Sequence, residues 1–226
     1  MKERWIGSYV KLGKSLNFKS NLSYCDINTQ QYNEYLGVSD NVGLKEILTN
    51  EKYFGYKPAK SYYGVFLGNN KIIKNFYAKG DEYVGLFSKA ERMTIQDLEI
   101  TGKIICNGDN AGAISAWKIQ EINNCISRVN IEAAGDYIGG LCGGLYYGDG
   151  IITNYGNIEG KNYVGGIMAA RLKASDSKNY GNVKGNIDVG GISGGESGIT
   201  RCYNYSNIEG NEKVGGIQGI VAISQM

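Results

Sequence analysis

Glu132, Glu159, Lys184 and Glu209 return along the chain at steps of 27, 25 and 25 residues. Carboxylates that recur at the period of a stacked repeat sit on neighbouring coils about 4.8 Å apart, and two carboxyl groups about 5 Å apart are what a retaining glycosidase uses. The third rung is a lysine, however, so the column also describes an alternating-charge ladder on a solvated face. Such pairs add little stability each but favour one register over like-charge stacking. The expectation is a ladder, with no catalytic residue assigned.

Tyr155, Tyr180 and Tyr205 recur at steps of 25 and 25. An outward aromatic row on a flat β face can bind sugar rings or a partner protein, and tyrosine also simply packs well on strands. These three are the candidate binding residues. Tyr83, Tyr137 and Tyr163 form a looser second group beside glycines.

Other chemistry finds less support. Histidine is absent, which removes the commonest general base, the imidazole-dependent nucleophiles and the usual zinc sites. Gly148-Asp149-Gly150, Asp176 and Asp188 do not share a column, whereas a calcium-binding repeat needs a carboxylate in every coil. Gly139 to Gly144 is glycine-rich but lacks the Lys-Ser/Thr of a phosphate loop. No metal or cofactor is expected. Of five cysteines, Cys25, Cys106, Cys125, Cys142 and Cys202, none shows CxxC spacing, so they are expected as small buried hydrophobes left reduced. Cys125 and Cys202 share a column three coils apart, about 14 Å, too far for a disulfide.

The elements that position these residues follow from one repeated stretch. Tyr163-Val164-Gly165-Gly166-Ile167 has near-copies beginning at Val84, Ala111, Ile138, Val189 and Val214, the steps from Val84 through Val164 to Val214 being 27, 27, 26, 25 and 25 residues. A fixed period in this range means a repeat architecture. Further columns keep the same step: Leu98, Cys125, Ile152, Ser177, Cys202; Ile104, Ile131, Ile158, Val183, Ile208; Ile100, Ser127, Asn154, Asn179, Asn204; and Lys103, Asn130, Asn157, Asn182, Asn207. Each repeat holds three short strand-like pieces, which predicts an all-β fold: a right-handed, three-sided parallel β-helix with coils of about 25 to 27 residues. Apolar columns face in, and asparagine ladders sit at bends. The second glycine of each anchor allows backbones to approach where a side chain would not fit.

Residues 1–60 show no repeat and are expected to form an amino-terminal cap, with short strands near Tyr9–Leu12 and Leu16–Lys19 and a helical turn at Gly43–Thr49. The β-helix is expected over 61–226, opening with two short strands about a Gly68-Asn69-Asn70 turn and truncated at its carboxyl end.

Lysine and arginine number 24 against 22 acidic residues, a net charge of +2, and no basic run suggests nucleic acid or an anionic membrane. Glycine numbers 34 and proline one, Pro58, and the glycines recur at fixed positions instead of forming a linker. No apolar run reaches the roughly 20 residues that span a bilayer, and no signal-peptide core follows Met1.

Tyr155-Gly156-Asn157-Ile158-Glu159-Gly160 followed by Tyr163-Val164-Gly165-Gly166-Ile167 resembles the GLUG repeat, as does Cys202-Tyr203-Asn204 through Gly216. Gly64 to Phe76 with Tyr83-Val84-Gly85-Leu86-Phe87 is similar to the segment that opens such arrays. The resemblance implies a right-handed β-helix in a secreted or surface-anchored bacterial protein, often adhesin-like, and hence an extracellular or cell-surface location for a fragment of a longer protein. It carries over no catalytic residue. The expected function is a non-catalytic stalk or adhesion segment that displays a face to a glycan or to a host or cell-surface protein. The alternatives are a polysaccharide lyase or hydrolase with a polymer-binding groove, and a bare scaffold whose tyrosines are packed.

Overall fold

A computed structural model describes residues 8–11, 16–17, 63–144, 150–170, 173–196 and 198–219. The helical turn expected at Gly43–Thr49 lies outside them, as do Cys25, Gly148 and Asp149. The described chain is all-β, without a helix, and winds as a parallel β-solenoid of about five turns.

Two long bent strands, Tyr63–Gly80 and Ala90–Cys106, open the array side by side in parallel. Ser8–Lys11 and Leu16–Asn17 add a rung on the outer side of Tyr63–Gly80. The Gly68-Asn69-Asn70 turn is a corner within the first long strand: both of its arms pair with Ala90–Cys106 and the register slips between Leu67 and Lys71. Asn69 and Asn70 turn it with φ of 54° each, a left-handed conformation that asparagine tolerates better than most residues.

Later coils break into shorter pieces laid in rows. The first half of Cys125–Ala133 pairs with Ile152–Asn154, then Lys178–Asn179, then Tyr203–Asn204. Its second half pairs with Ile158–Glu159, then Val183–Lys184, then Ile208–Glu209. The anchor motif makes the third row, from Ala111–Gly112 through Ile138–Gly139, Asn162–Gly165 and Ile187–Gly190 to Glu212–Gly215. Lys173–Ser175 and Gly198–Thr200 pair as a further short row.

Because one step along a column is one step along the stack, equivalent residues lie directly above one another. Ile104, Ile131, Ile158 and Val183 are buried in one inward column, and Val84, Ala111, Ile138, Val164 and Val189 in another. Each fully buried Ile or Val side chain contributes about 1.5–3 kcal/mol relative to exposure, so every turn adds its own buried residues to the core. At the last described coil that cover ends, and Val214 is 43% exposed.

The anchor glycines are steric requirements. A Cβ on Gly166 would strike the Gly191 carbonyl and the Asn179 amide, and one on Gly191 would strike the Gly216 carbonyl and the Asn204 amide. The residue just before each anchor valine turns the corner left-handed: Tyr83, Asn110, Tyr137, Tyr163, Asp188 and Lys213 have φ between 51° and 66°.

Candidate functional site

Outward residues of the first two rows make three adjacent columns, because the strands alternate inward and outward. The first runs through Tyr155, Tyr180 and Tyr205. Their ring centroids are 4.8 Å apart at both steps, with interplanar angles of 8° and 12°. Arg128, one rung earlier, lies with its guanidinium carbon 4.1 Å from the Tyr155 ring centroid, and its Nε donates to Glu99 Oε1 at 2.8 Å. The result is a continuous stack of one guanidinium and three phenols, of the kind that adds stability through cation–π and ring contacts.

This geometry narrows what the tyrosines offer. The faces of Tyr155 and Tyr180 are covered by their neighbours, so a sugar ring cannot lie flat upon them as the spacing alone suggested. Exposures of 40%, 40% and 58% for Tyr155, Tyr180 and Tyr205 instead leave ring edges open to solvent along the axis.

The second column is Asn130, Asn157, Asn182 and Asn207. The Oδ1 atoms of Asn130, Asn157 and Asn182 accept the backbone N–H of the next member, at 2.9, 3.0 and 3.2 Å. Accepting through oxygen fixes the amide's orientation, so the Nδ2 groups of this exposed column point away from the backbone they cap.

The third column is the charged one. Lys184 Nζ lies 3.7 Å from Glu159 Oε1 and 3.9 Å from Glu209 Oε1, and Lys103 Nζ lies 2.8 Å from Glu132 Oε1. Glu132 and Glu159 are direct register partners, and each pairs with a lysine: Glu159 with Lys184 of its own column and Glu132 with Lys103, which stands in the asparagine column beside Asn130. Between the second and third columns runs a half-open groove of about 460 Å³, floored by Ile131, Ile158 and Val183.

Inside, a different asparagine ladder holds the corner. Asn154 and Asn179 are buried; Asn154 Nδ2 donates to Asn179 Oδ1 and Asn179 Nδ2 to Asn204 Oδ1, both at 2.9 Å. A third amide ladder was not apparent in the sequence: Asn162 Nδ2 donates to Asp136 Oδ1 at 2.9 Å and Asn211 Nδ2 to Asn186 Oδ1 at 2.8 Å. Its members Asp136, Asn162, Asn186 and Asn211 begin with an Asp and fall at steps of 26, 24 and 25, which hid the column.

The looser tyrosine group is packed. Trp117 makes edge-to-face contacts with Tyr83 and Tyr137, and Tyr137 stacks on Tyr163 with centroids 4.9 Å apart. Trp117 thus bridges the rung where the column itself carries Asn110, and no spacing argument would have found it.

The isolated acidic residues have structural partners. Asp176 and Arg201 form a two-pronged pair at 2.7 and 2.6 Å, and hydrogen bonds from Arg201 hold the Asp176 carboxyl below its ordinary range. Asp188 is buried at a left-handed corner with Lys213 Nζ 3.5 Å away. Among the described residues no group of three His, Cys, Asp or Glu side chains could hold a metal ion, and no helix is long and apolar enough to cross a membrane.

Cys106, Cys125 and Cys142 are buried thiols, and Cys202 is a half-buried one. Desolvation by burial pushes the Cys125 and Cys142 thiols up to about 12 and Cys106 up to about 11. A protonated thiol is a poor nucleophile and metal ligand, so these groups act as core residues that donate weakly to backbone carbonyls, as Cys142 does to Trp117 at 3.3 Å. No family model, curated protein or solved structure matches this chain.

Proposed function

We propose that the chain is a non-catalytic β-solenoid segment of a bacterial cell-surface or secreted protein, displaying a binding face to a glycan or to a protein of a host or neighbouring cell. The observation that carries this is the exposed tyrosine, asparagine and charged columns held in common register by the stacked coils. The resemblance of Tyr155–Ile167 to GLUG repeats supports the surface setting. A repetitive face on a rigid support binds without reorganising, which lowers the entropic cost of capture. The enzyme alternative needs acid and base carboxylates with separate environments, whereas Glu132 and Glu159 each face a lysine.

A glycan-array screen of the purified chain beside the Tyr155→Ala, Tyr180→Ala, Tyr205→Ala triple variant tests the proposal, with circular dichroism confirming that both fold. Specific binding that weakens in the variant is the expected outcome. If neither the array nor a panel of cell-surface proteins retains the wild-type chain, a bare scaffold is the better description.

A further inference from the structure

We infer that the groove between the asparagine and charged columns seats a neutral linear polysaccharide lying along the solenoid axis. This rests on the displayed-face function above and names its ligand class.

The chemistry of the two walls differs in kind. On one side Asn130, Asn157 and Asn182 each commit Oδ1 to a backbone N–H of the following coil, so what they present outward is a row of Nδ2 donors. On the other side Glu132, Glu159 and Glu209 present acceptors, interrupted once by Lys184. A hydroxyl both donates and accepts. A chain of hydroxylated rings can therefore satisfy both walls at each rung, a match that repeats at the strand spacing of about 4.8 Å.

Other polymers fit less well. Along the floor, backbone N–H groups of Ile131, Ile158 and Val183 already donate to the carbonyls of Asn157, Asn182 and Asn207 at 2.8 to 3.0 Å. The groove thus offers no free strand edge for an added peptide strand, the usual source of affinity in that mode. It holds no apolar pocket for a peptide side chain either, its walls being amide and charge. Three glutamates against Lys184 and the Lys103 that pairs with Glu132 still leave a net negative wall, which disfavours polyanions by like-charge repulsion. The tyrosine column stands next to the asparagines, and its open ring edges border the same track.

Titration calorimetry with the full chain and linear neutral gluco-, manno- and xylo-oligosaccharides tests this, with polygalacturonate and an extended Ser/Thr-rich peptide as contrasts. The diagnostic variant is Asn157→Asp with Asn182→Asp, which keeps an oxygen for the backbone N–H and removes the outward donors. Lys173→Ala is a control off the groove. At least one neutral oligosaccharide binds; the double Asp variant weakens it by about tenfold or more, the loss expected for two hydrogen bonds, while Lys173→Ala stays within about threefold. Melting curves establish that the double variant is folded, and if it is not, Asn157→Asp alone takes its place. Binding unaffected by the Asp substitutions but lost in the tyrosine triple variant overturns the groove and leaves the displayed face standing. Preference for polygalacturonate or the peptide overturns the ligand class, and binding by no oligosaccharide overturns the proposal outright.

Discussion

At the scale of single residues, the amides and thiols of the interior do different work from those outside. Asn179 sits fully buried between Asn154 and Asn204 and also donates to the Gly181 carbonyl at 2.8 Å. Its replacement by Ala strands several buried polar groups, each costing about 1–3 kcal/mol, so a net loss of about 2–4 kcal/mol is expected. The same change at Asn204, only partly buried, costs less, and thermal melts of the two variants check the ordering. The thiols give a pH prediction. Cys125 titrates near 12 when folded against an ordinary value of 9.0. Between those values the unfolded chain gives up a proton that the folded chain keeps. Its contribution is therefore intact below pH 9 and lost as pH rises toward 12. Melting temperature followed from pH 8 to 11 should fall less steeply in Cys125→Ala than in the wild type; parallel slopes would contradict the assignment.

At the scale of elements, the second glycine of the anchor and the inner asparagine ladder form one device. The Cβ that alanine would add at Gly166 meets both the next coil's carbonyl and the Asn179 amide, neither of which can move without breaking a rung. Gly166→Ala is expected to cost about 3 kcal/mol, the upper end of overpacking in a dense core, whereas Gly216→Ala, which meets nothing nearby, should cost under about 1 kcal/mol; denaturant midpoints decide between them. Most of this was legible in the sequence because a 25-residue step turns columns of letters into columns of atoms. The valine, isoleucine, asparagine and glutamate columns all pair in the register that counting predicts. What counting missed had no constant residue type. Tyr83, Asn110, Tyr163 and Asp188 share one left-handed corner through backbone conformation, and only Asn and Asp among them hint at it. Trp117 stands off the column it completes, and the tyrosine stack's direction, which closes its ring faces, depends on rotamers that spacing does not encode.

At the scale of the whole molecule, a solenoid converts a short surface pattern into a track. Coil upon coil, the tyrosine, asparagine and charged columns repeat at a spacing that the 4.8 Å ring separations display directly. Such a surface should bind a polymer in proportion to the number of rungs engaged, up to the length of the track. The most direct measurement is the affinity for a series of neutral linear oligosaccharides of increasing length. Affinity should climb with each added ring until the ligand spans Asn130 to Asn207, three coil steps or roughly 14 Å, and then level off. A disaccharide that binds as tightly as the longer chains, or a series that never binds, would contradict it.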